Sequence, residues 1–391
     1  MSRIVVVGIG ADGMAGLAER SRNELCSATE VYGSERQLGL LDDTVAAHRR
    51  SWPSPLLEAL PDLLDQPHDV HVLASGDPLL HGIGVTLIRL FGAHRVTVLP
   101  HVSAPALACA RMGWNVADTE VISLVSAAPH TAVRRGGRAI VLSRDRSSPR
   151  RLAALLCDHG RGDSELSVFE QLAGPAERRR DGTARDFAAG TDTDTDDLNV
   201  VAVRYLPDDS AVHLPDAAFG NTGQMTKYTI RAVTLAALAP RTGQRLWDVG
   251  SGSGSIAVSW ARSAPGCSAV AFERDEARGR AIVHNAAGSG ARVEVRGAAP
   301  AAFTGAAAPD AVFIGGGLTT PGLLDGCLQA LPRGGRLVAN AVTVESEALL
   351  LQSYSQYGGT LRRLQHDRAE PLGAFSGWLP QRPVTQWEWT R

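Results

Sequence analysis

The stretch Leu246–Ile256, LWDVGSGSGSI, decides the fold of the second half of the chain. An apolar strand ends in Asp248, glycines follow at 250, 252 and 254, and a helical pattern starts at once. Glycine at alternate positions lets a turn pass close beneath a ligand with no Cβ in the way. The helix behind it presents unpaired N–H groups. About twenty residues further on, a second apolar strand, Ala269–Phe272, ends in Glu273, where a carboxylate can accept hydrogen bonds from a ribose diol. Together these features read as a nucleoside-binding α/β site.

Around this stretch the pattern alternates cleanly. Strands are expected at Arg245–Val249, Ser268–Phe272, Arg292–Val295, Ala311–Ile314 and Arg336–Ala339, with helices at Ser253–Ser263, Glu276–Ala287, Pro321–Leu331 and Val344–Tyr357. Strands alternating with helices of this length build a parallel, doubly wound, Rossmann-like sheet. Leu361–Leu364 and Thr385–Trp389 have the look of a hairpin added at its edge. Before the glycines, a helix is expected at Lys227–Leu238 with Thr226 as its N-cap and a core stripe of Ile230, Val233, Thr234 and Ala237. Lys227 and Arg231 lie four apart near its start.

The first half is also α/β. A buried strand, Arg3–Val7, feeds Gly8-Ile9-Gly10-Ala11-Asp12-Gly13, literally the dinucleotide fingerprint. A nicotinamide site also wants an acid at the end of the second strand, whereas Glu30 precedes Val31-Tyr32-Gly33. Val70–Ala74 runs into Ser75-Gly76-Asp77-Pro78, and Val96–Leu99 into Pro100–Pro105 and an alanine-rich helix. Strands ending in Gly/Ser/Pro turns and followed by helices place a ligand at the carboxyl ends of the strands. Further strands are expected at Val121–Leu124, Arg138–Ser143, Leu166–Glu170 and Leu198–Val203, and a helix at Pro149–His159. Arg178-Arg179-Arg180 and Thr191–Asp197 (TDTDTDD) read as a solvated surface excursion of low complexity.

Composition excludes several classes. At 391 residues the chain has room for two or three domains. A net charge of −2 gives no basic field for nucleic acid, and 5% aromatic content offers few stacking platforms. The five cysteines stand alone, with no C-x-x-C or H-x-x-x-H pair, so neither a metal site nor a disulfide framework is expected. Buried thiols in a reducing cytoplasm are the expectation. The first residues go straight into a strand, so no signal peptide is expected, and no apolar run is long enough to span a bilayer.

Val6–Gly10, Ala74–Pro78, and Val102-Ser103-Ala104 with Ala110–Gly113 resemble the tetrapyrrole methylases, and more closely the cobalamin-pathway branch that methylates C5 of precorrin-6Y. This resemblance covers roughly residues 2–205 and implies a two-lobed fold holding S-adenosylmethionine between its halves. It implies Ser75, Gly76, Asp77, Leu80, Ser103 and Ala104 as cofactor-binding residues and Gly10 as a substrate candidate. Two positions depart from the family pattern: Ala11-Asp12 stands where Pro-Gly is usual, and Val125-Ser126-Ala127 where a His-Gly-Arg step is usual. His130, Arg134 and Arg135 are candidates to replace that step, with a solvated basic loop as the alternative.

Met225-Thr226-Lys227, Glu273-Arg274-Asp275, Gly297–Pro300, Phe313–Gly317, Leu337–Thr343 and Pro383–Trp387 resemble the C15-methylating, decarboxylating domain of the same pathway, a class I methyltransferase fold with a seven-stranded sheet. The division that follows is 1–205, a linker at 206–216, and 217–391. The resemblance implies Thr226, Asp248, Gly250, Ser251, Gly252, Ser253, Gly254, Glu273 and Ala299 at the second cofactor. A decarboxylating site pairs the remaining substrate carboxylates with cations, which makes Lys227, Arg231 and Arg274 substrate candidates, with a plain surface face as the alternative for Lys227 and Arg231; Asn340 is a further candidate at the sheet's carboxyl edge. Fused in this order, the halves resemble the bifunctional family that methylates precorrin-6Y at C5 and C15 and removes the carboxyl of its C12 acetate. One S-adenosylmethionine per domain, an anionic tetrapyrrole substrate, no nucleic-acid or membrane partner and self-association through the C-terminal domain are implied. Methyl transfer from a sulfonium asks the protein mainly to align reactants and exclude water, consistent with the lack of a nucleophilic triad. Two other classes fit parts of the chain: an NAD-dependent oxidoreductase using Gly8–Gly13, and a non-catalytic cofactor-sensing or scaffold protein.

Overall fold

Two compact units divide the chain in a computed structural model, which describes residues 2–207, 212–220 and 225–391. The first comprises Met1–Ser126 and Gly137–Leu206, the second Ala127–Gly136 and Pro207–Arg391. Part of the expected linker, 208–211, and part of the segment before the 228–238 helix, 221–224, lie outside the described residues.

The first unit holds two five-stranded sheets. In one, β1 (Ile4–Ile9), β2 (Glu30–Gly33), β3 (His48–Ser51), β4 (Val70–Ser75) and β5 (Val96–Leu99) run parallel in the order β3-β2-β4-β1-β5. β1 reads IVVVGI and is buried along its whole length, as a strand covered on both faces must be. Its two faces feed separate cores, Val5, Val7 and Ile9 on one side and Ile4 and Val6 on the other. The other sheet contains β6 (Glu120–Ser123), β7 (Arg138–Leu142), β8 (Glu165–Glu170), β9 (Arg178–Thr183) and β10 (Asn199–Arg204), ordered β6-β7-β10-β8-β9. Only β6 and β7 are parallel here; β10 runs against β7 and β8, and β9 against β8.

β9 corrects the expectation of a solvated excursion at 178–180. Arg178 and Arg180 project to one face, as alternate strand residues do, and both reach Glu170, whose side chain is only 2% exposed. Arg178 Nε donates to Glu170 Oε2 at 2.5 Å, and Arg180 Nη2 lies 3.4 Å from Oε1. Thr183 then caps the short helix Ala184–Ala189 in a capping box with Asp186. The arginine run is thus an edge strand whose charges compensate a buried acid.

The second unit is built on seven strands: β11 (Arg245–Val249), β12 (Ser268–Phe272), β13 (Val293–Arg296), β14 (Ala311–Ile314), β15 (Arg336–Ala341), β16 (Thr360–Leu364) and β19 (Val384–Thr390). A separate two-stranded ribbon consists of β17 (Asp367–Leu372) and β18 (Phe375–Pro380). The main sheet is ordered β13-β12-β11-β14-β15-β19-β16, parallel from β13 to β15, with β19 antiparallel to both its neighbours. Strand order reverses between β11 and β14, the switch point at which open α/β sheets leave a crevice beyond the strands' carboxyl ends. Trp247 is buried there, stacked on Phe303 with ring centroids 4.7 Å apart. The ribbon has no counterpart in the sequence expectations.

The ten residues Ala127–Gly136 belong to the second unit, and the middle of the stretch is buried. His130, Thr131, Ala132 and Val133 lie in its interior, and His130 Nε2 sits 2.9 Å from the carbonyl oxygen of Val293. Burial lowers the His130 pKa. Arg134 Nη1 donates to the carbonyls of Thr131 and Val133. The expectation that His130 and Arg134 hold a macrocycle in the first half is therefore corrected: a side chain buried with the second unit is not available to the first.

Two smaller corrections concern termini and thiols. The helix of the second unit begins at Tyr228, its N-cap is Lys227, and no side chain caps it, so Thr226 is not the cap. Cys26 is exposed, whereas Cys109, Cys267 and Cys327 are buried.

Candidate functional sites

In the second unit, the turn after β11 is fixed by its own backbone. The N–H groups of Gly250 and Ser251 both donate to the carbonyl of Phe272, and Gly315 donates to Val249. Gly250, Gly252 and Gly254 have φ of 68°, 61° and 75°, a left-handed conformation open to glycine at little cost. A Cβ on Gly250 would lie 2.6–2.7 Å from backbone atoms of Gly316. That position must therefore be glycine for the turns after β11 and β14 to meet.

Two carboxylates frame this turn. Glu273, at the end of β12, accepts from the Gly252 amide at 2.9 Å and from Asp275 N at 3.0 Å. Asp248 is 1% exposed; its Oδ2 accepts from Ser251 Oγ at 2.7 Å and Ala257 N at 3.0 Å. Its Oδ1 is buried without a hydrogen-bond partner among the described residues. Burial drives the Asp248 carboxyl up to about 6, against those two hydrogen bonds and helped by the Glu273 charge. A buried, orphaned carboxylate oxygen beside a glycine turn is a receptor for positive charge, so these residues fit a sulfonium cofactor. Ser253 is buried, and its carbonyl accepts from Asn285 Nδ2. Asn285 also exchanges hydrogen bonds with the backbone of Gly220, through Nδ2 to its carbonyl and Oδ1 from its amide. Asn285, a polar residue on the buried side of a helix, carries no signal in the local sequence.

The remaining candidates of this unit divide by exposure. Lys227 and Arg274 are exposed, and Thr226 and Ala299 are half-buried. Asn340, at the end of β15, donates to Thr234 Oγ1 and accepts from Gln386 Nε2, which leaves one amide proton to offer a ligand. Arg231 leaves the list of substrate candidates. It is 1% exposed, and its guanidinium donates to Asp216 Oδ1, the Thr226 carbonyl and the Leu214 carbonyl. The rings of Phe219 and Tyr228 also lie against it. Its charge is spent on holding Leu214, Asp216 and Thr226 to the helix.

The first unit encloses a cavity of about 410 Å³ at the carboxyl ends of β1, β4 and β5. Gly10, Ser75, Gly76, Asp77, Leu80, Ser103 and Ala104 all line it. The turns that carry them touch one another: Gly76 N donates to the Ile9 carbonyl, and His101 N to the Gly76 carbonyl. Gly8 has no room for a side chain, since a Cβ there would lie 2.0 Å from the Gly76 oxygen. Asp77 Oδ1 accepts from Leu79 N, and Ser103 caps the helix Ala104–Met112 by accepting from Ala106 N. At the departure from the family pattern, Ala11 lines the cavity and Asp12 faces His101, Oδ1 to Nε2 at 3.3 Å. Arg36, Gln37 and Trp52 line the same cavity and were not anticipated. The one legible trace was Ser34-x-x-Gln37, a capping-box spacing.

Comparison with known proteins agrees with this division. A family model described as tetrapyrrole (corrin/porphyrin) methylases matches residues 3–188, and one described as a precorrin methyltransferase domain matches 217–391. A precorrin-6Y C(5,15)-methyltransferase (decarboxylating) from Mycobacterium tuberculosis strain H37Rv is 68% identical over 388 residues, covering 99% of this chain and 100% of the relative. One of the same name from a Sinorhizobium species is 41% identical, covering 99% of this chain and 96% of the relative. Among solved structures, the C-terminal domain of precorrin-6Y C5,15-methyltransferase from Rhodobacter capsulatus is 44% identical, covering 46% of this chain and all of that one, with a TM-score of 0.44. Likeness of this degree from end to end, over a chain carrying a glycine-turn site in one unit and a cavity at strand ends in the other, makes it a member of the decarboxylating precorrin-6Y C(5,15)-methyltransferase family.

Proposed function

We propose that the chain methylates precorrin-6Y at C5 and C15 and decarboxylates its C12 acetate, giving precorrin-8X in cobalamin biosynthesis. What carries the reading is the pairing in one polypeptide of two separate sites suited to the same cofactor, collinear with relatives of that name. The first unit, with its cavity at Gly10, Ser75–Asp77, Leu80, Ser103 and Ala104, takes C5. The second, with its glycine turn and its two carboxylates, takes C15 and the decarboxylation. Each unit holds one S-adenosylmethionine.

When bound, S-adenosylmethionine supplies a methyl group on an electrophilic sulfonium. The chain's own residues align and shield. Gly250–Gly254 would pass beneath the cofactor, Glu273 would accept from the ribose hydroxyls, Asp248 would face the positive sulfur, and Ala299 and Thr226 would border the adenine and the opposite side. The meso carbons C5 and C15 of the macrocycle are enamine-like and need no further activation by a protein base. Loss of carbon dioxide breaks the bond between the acetate methylene and its carboxyl carbon, the electron pair passing into the ring system. A site for that step leaves the departing carboxylate poorly solvated and pairs the other acidic side chains with cations; exposed Lys227 and Arg274 are suited to the pairing, and Asn340 stands at the end of β15.

The test is product counting on the full chain with methyl-labelled S-adenosylmethionine and precorrin-6Y. Two labelled methyls and one carbon dioxide per macrocycle are expected. A single methyl would mean that one unit is inactive, and none would overturn the reading in favour of a sensing or scaffold role. Two further elements belong to this proposal. A cytoplasmic location is supported by five cysteines that are all free; no helix among the described residues is long and apolar enough to cross a membrane. Self-association through the second unit is supported by the apolar ribbon β17–β18.

A further inference from the structure

We propose that Arg36 and the hydroxyl of Ser75 form a carboxylate receptor inside the first unit's cavity. The proposal rests on the functional reading above and names what one part of that site recognises. Arg36 lies in the turn after β2 and Ser75 at the end of β4, and both line the cavity. Arg36 Nη2 donates to Ser75 Oγ at 2.7 Å, and Gln37 Nε2 donates to the same oxygen at 3.1 Å. Gln37 is itself held by the capping box, its Oε1 accepting from Ser34 N.

The proton count is what points to an anion. A hydroxyl oxygen has two lone pairs and one proton. Both lone pairs of Ser75 are taken by donors, so its own proton must be given away, and no acceptor for it is present among the described residues. The Arg36 guanidinium, five donors and no acceptor, meets only that hydroxyl. Among the described residues no carboxylate comes within ion-pair reach of it, whereas the exposed arginines at 50, 111 and 146 each have an acidic partner. Partial burial lowers its pKa. Arg36 and Ser75 both keep a solvent-exposed face, so water meets this cluster of donors until an anion with matching acceptors replaces it. The planar fork of the guanidinium matches a carboxylate in two-point contact. Trp52, stacked on Tyr32, also lines the cavity and gives it a flat apolar face.

Two carboxylates could come here: the amino-acid carboxylate of the cofactor, or an acetate or propionate of the macrocycle. Calorimetry of the full chain with S-adenosylhomocysteine, combined with KM for C5 methylation, separates them. If the cofactor is the source, Arg36→Gln weakens one of the two S-adenosylhomocysteine sites about tenfold or more and leaves the other unchanged. If the macrocycle is the source, both sites keep their affinity, while KM for C5 methylation rises by about the same factor and C15 methylation is unaffected. In either case Arg36→Lys recovers part of the loss, since it keeps the charge and lacks the fork. If the parent chain shows two sites and Arg36→Gln matches it in both readouts, the receptor is disproved and the functional reading stands. If the parent shows no site in the first unit, the functional reading of that unit falls and the receptor with it.

Discussion

Asp248 shows how much one residue's environment can decide. Both of its oxygens are out of water, and only Oδ2 has partners, so the carboxyl titrates at about 6 instead of 3.8. A carboxyl whose folded pKa is raised retains its proton over a window in which the unfolded chain has already lost it. Its contribution to stability is therefore intact below pH 3.8 and is lost as pH rises to about 6, an effect on the order of 3 kcal/mol. A positive ligand beside Oδ1 compensates that loss by favouring the ionised form. S-adenosylmethionine is positive at sulfur and S-adenosylhomocysteine is not, so the two should differ in pH dependence at the second unit. The ratio of their affinities should fall about tenfold in favour of the neutral ligand between about pH 7.5 and about pH 5. In Asp248→Asn the ratio should be flat. Calorimetric titrations with both ligands across this range test it, and parallel profiles in the parent chain would remove Asp248 from the sulfonium.

At the level of elements, what could be read from the sequence depended on whether the element had a periodic signature. β11, β12 and β14 are short apolar runs closed by Asp, Glu and Gly, and the structure starts and stops them where those residues do. β9 is RRRDGT, which has no apolar alternation because its inward face meets Glu170 and not a core. Its strand character comes from pairing with β8, a tertiary fact that local composition does not encode. Glu170 gives this arrangement a measurable consequence. Arg178→Ala combined with Arg180→Ala leaves a carboxylate that is 2% exposed with neither of its cations, at a cost on the order of 3 kcal/mol. Scanning calorimetry should show the first unit's transition moving to lower temperature. Adding Glu170→Gln should recover part of the shift, since a neutral amide needs no cation. A double variant that unfolds with the parent would mean that the pair contributes nothing. Similarly, the segment 127–136 carries His and Arg where a ligand-holding step was expected, and only its burial in the second unit reveals a structural role.

For the whole molecule, the arrangement of sites was legible and the surface was not. Glycine turns and acids at strand ends report where a ligand goes, because backbone approach restricts the residue types allowed there. Arg36 and Asn285 carry no such restriction, and only the fold brings them to their cavity and turn. The ribbon β17–β18 is the surface counterpart. It exposes Leu372 at 69%, Phe375 at 81% and Leu379 at 47% on one face, where Leu372 pairs with Phe375 and Leu379 lies four further on, and Trp378 at 75% on the other; its two strands pair only with each other. Two-stranded ribbons are marginal on their own in water, and clustered large apolar side chains on a surface mark a contact site. A second copy of the same ribbon is self-complementary: the Leu372, Phe375 and Leu379 face of one copy meets the same face of the other, and a two-fold contact of this kind closes on itself. Light scattering on the parent chain should therefore give a multiple of 41.2 kDa. Phe375→Asp with Leu379→Asp should return the mass to 41.2 kDa while leaving S-adenosylhomocysteine binding in the first unit unchanged, because those side chains belong to the second unit. A parent chain already at the single-copy mass, or a double variant that assembles as the parent does, would show that the ribbon's apolar residues serve something other than self-association.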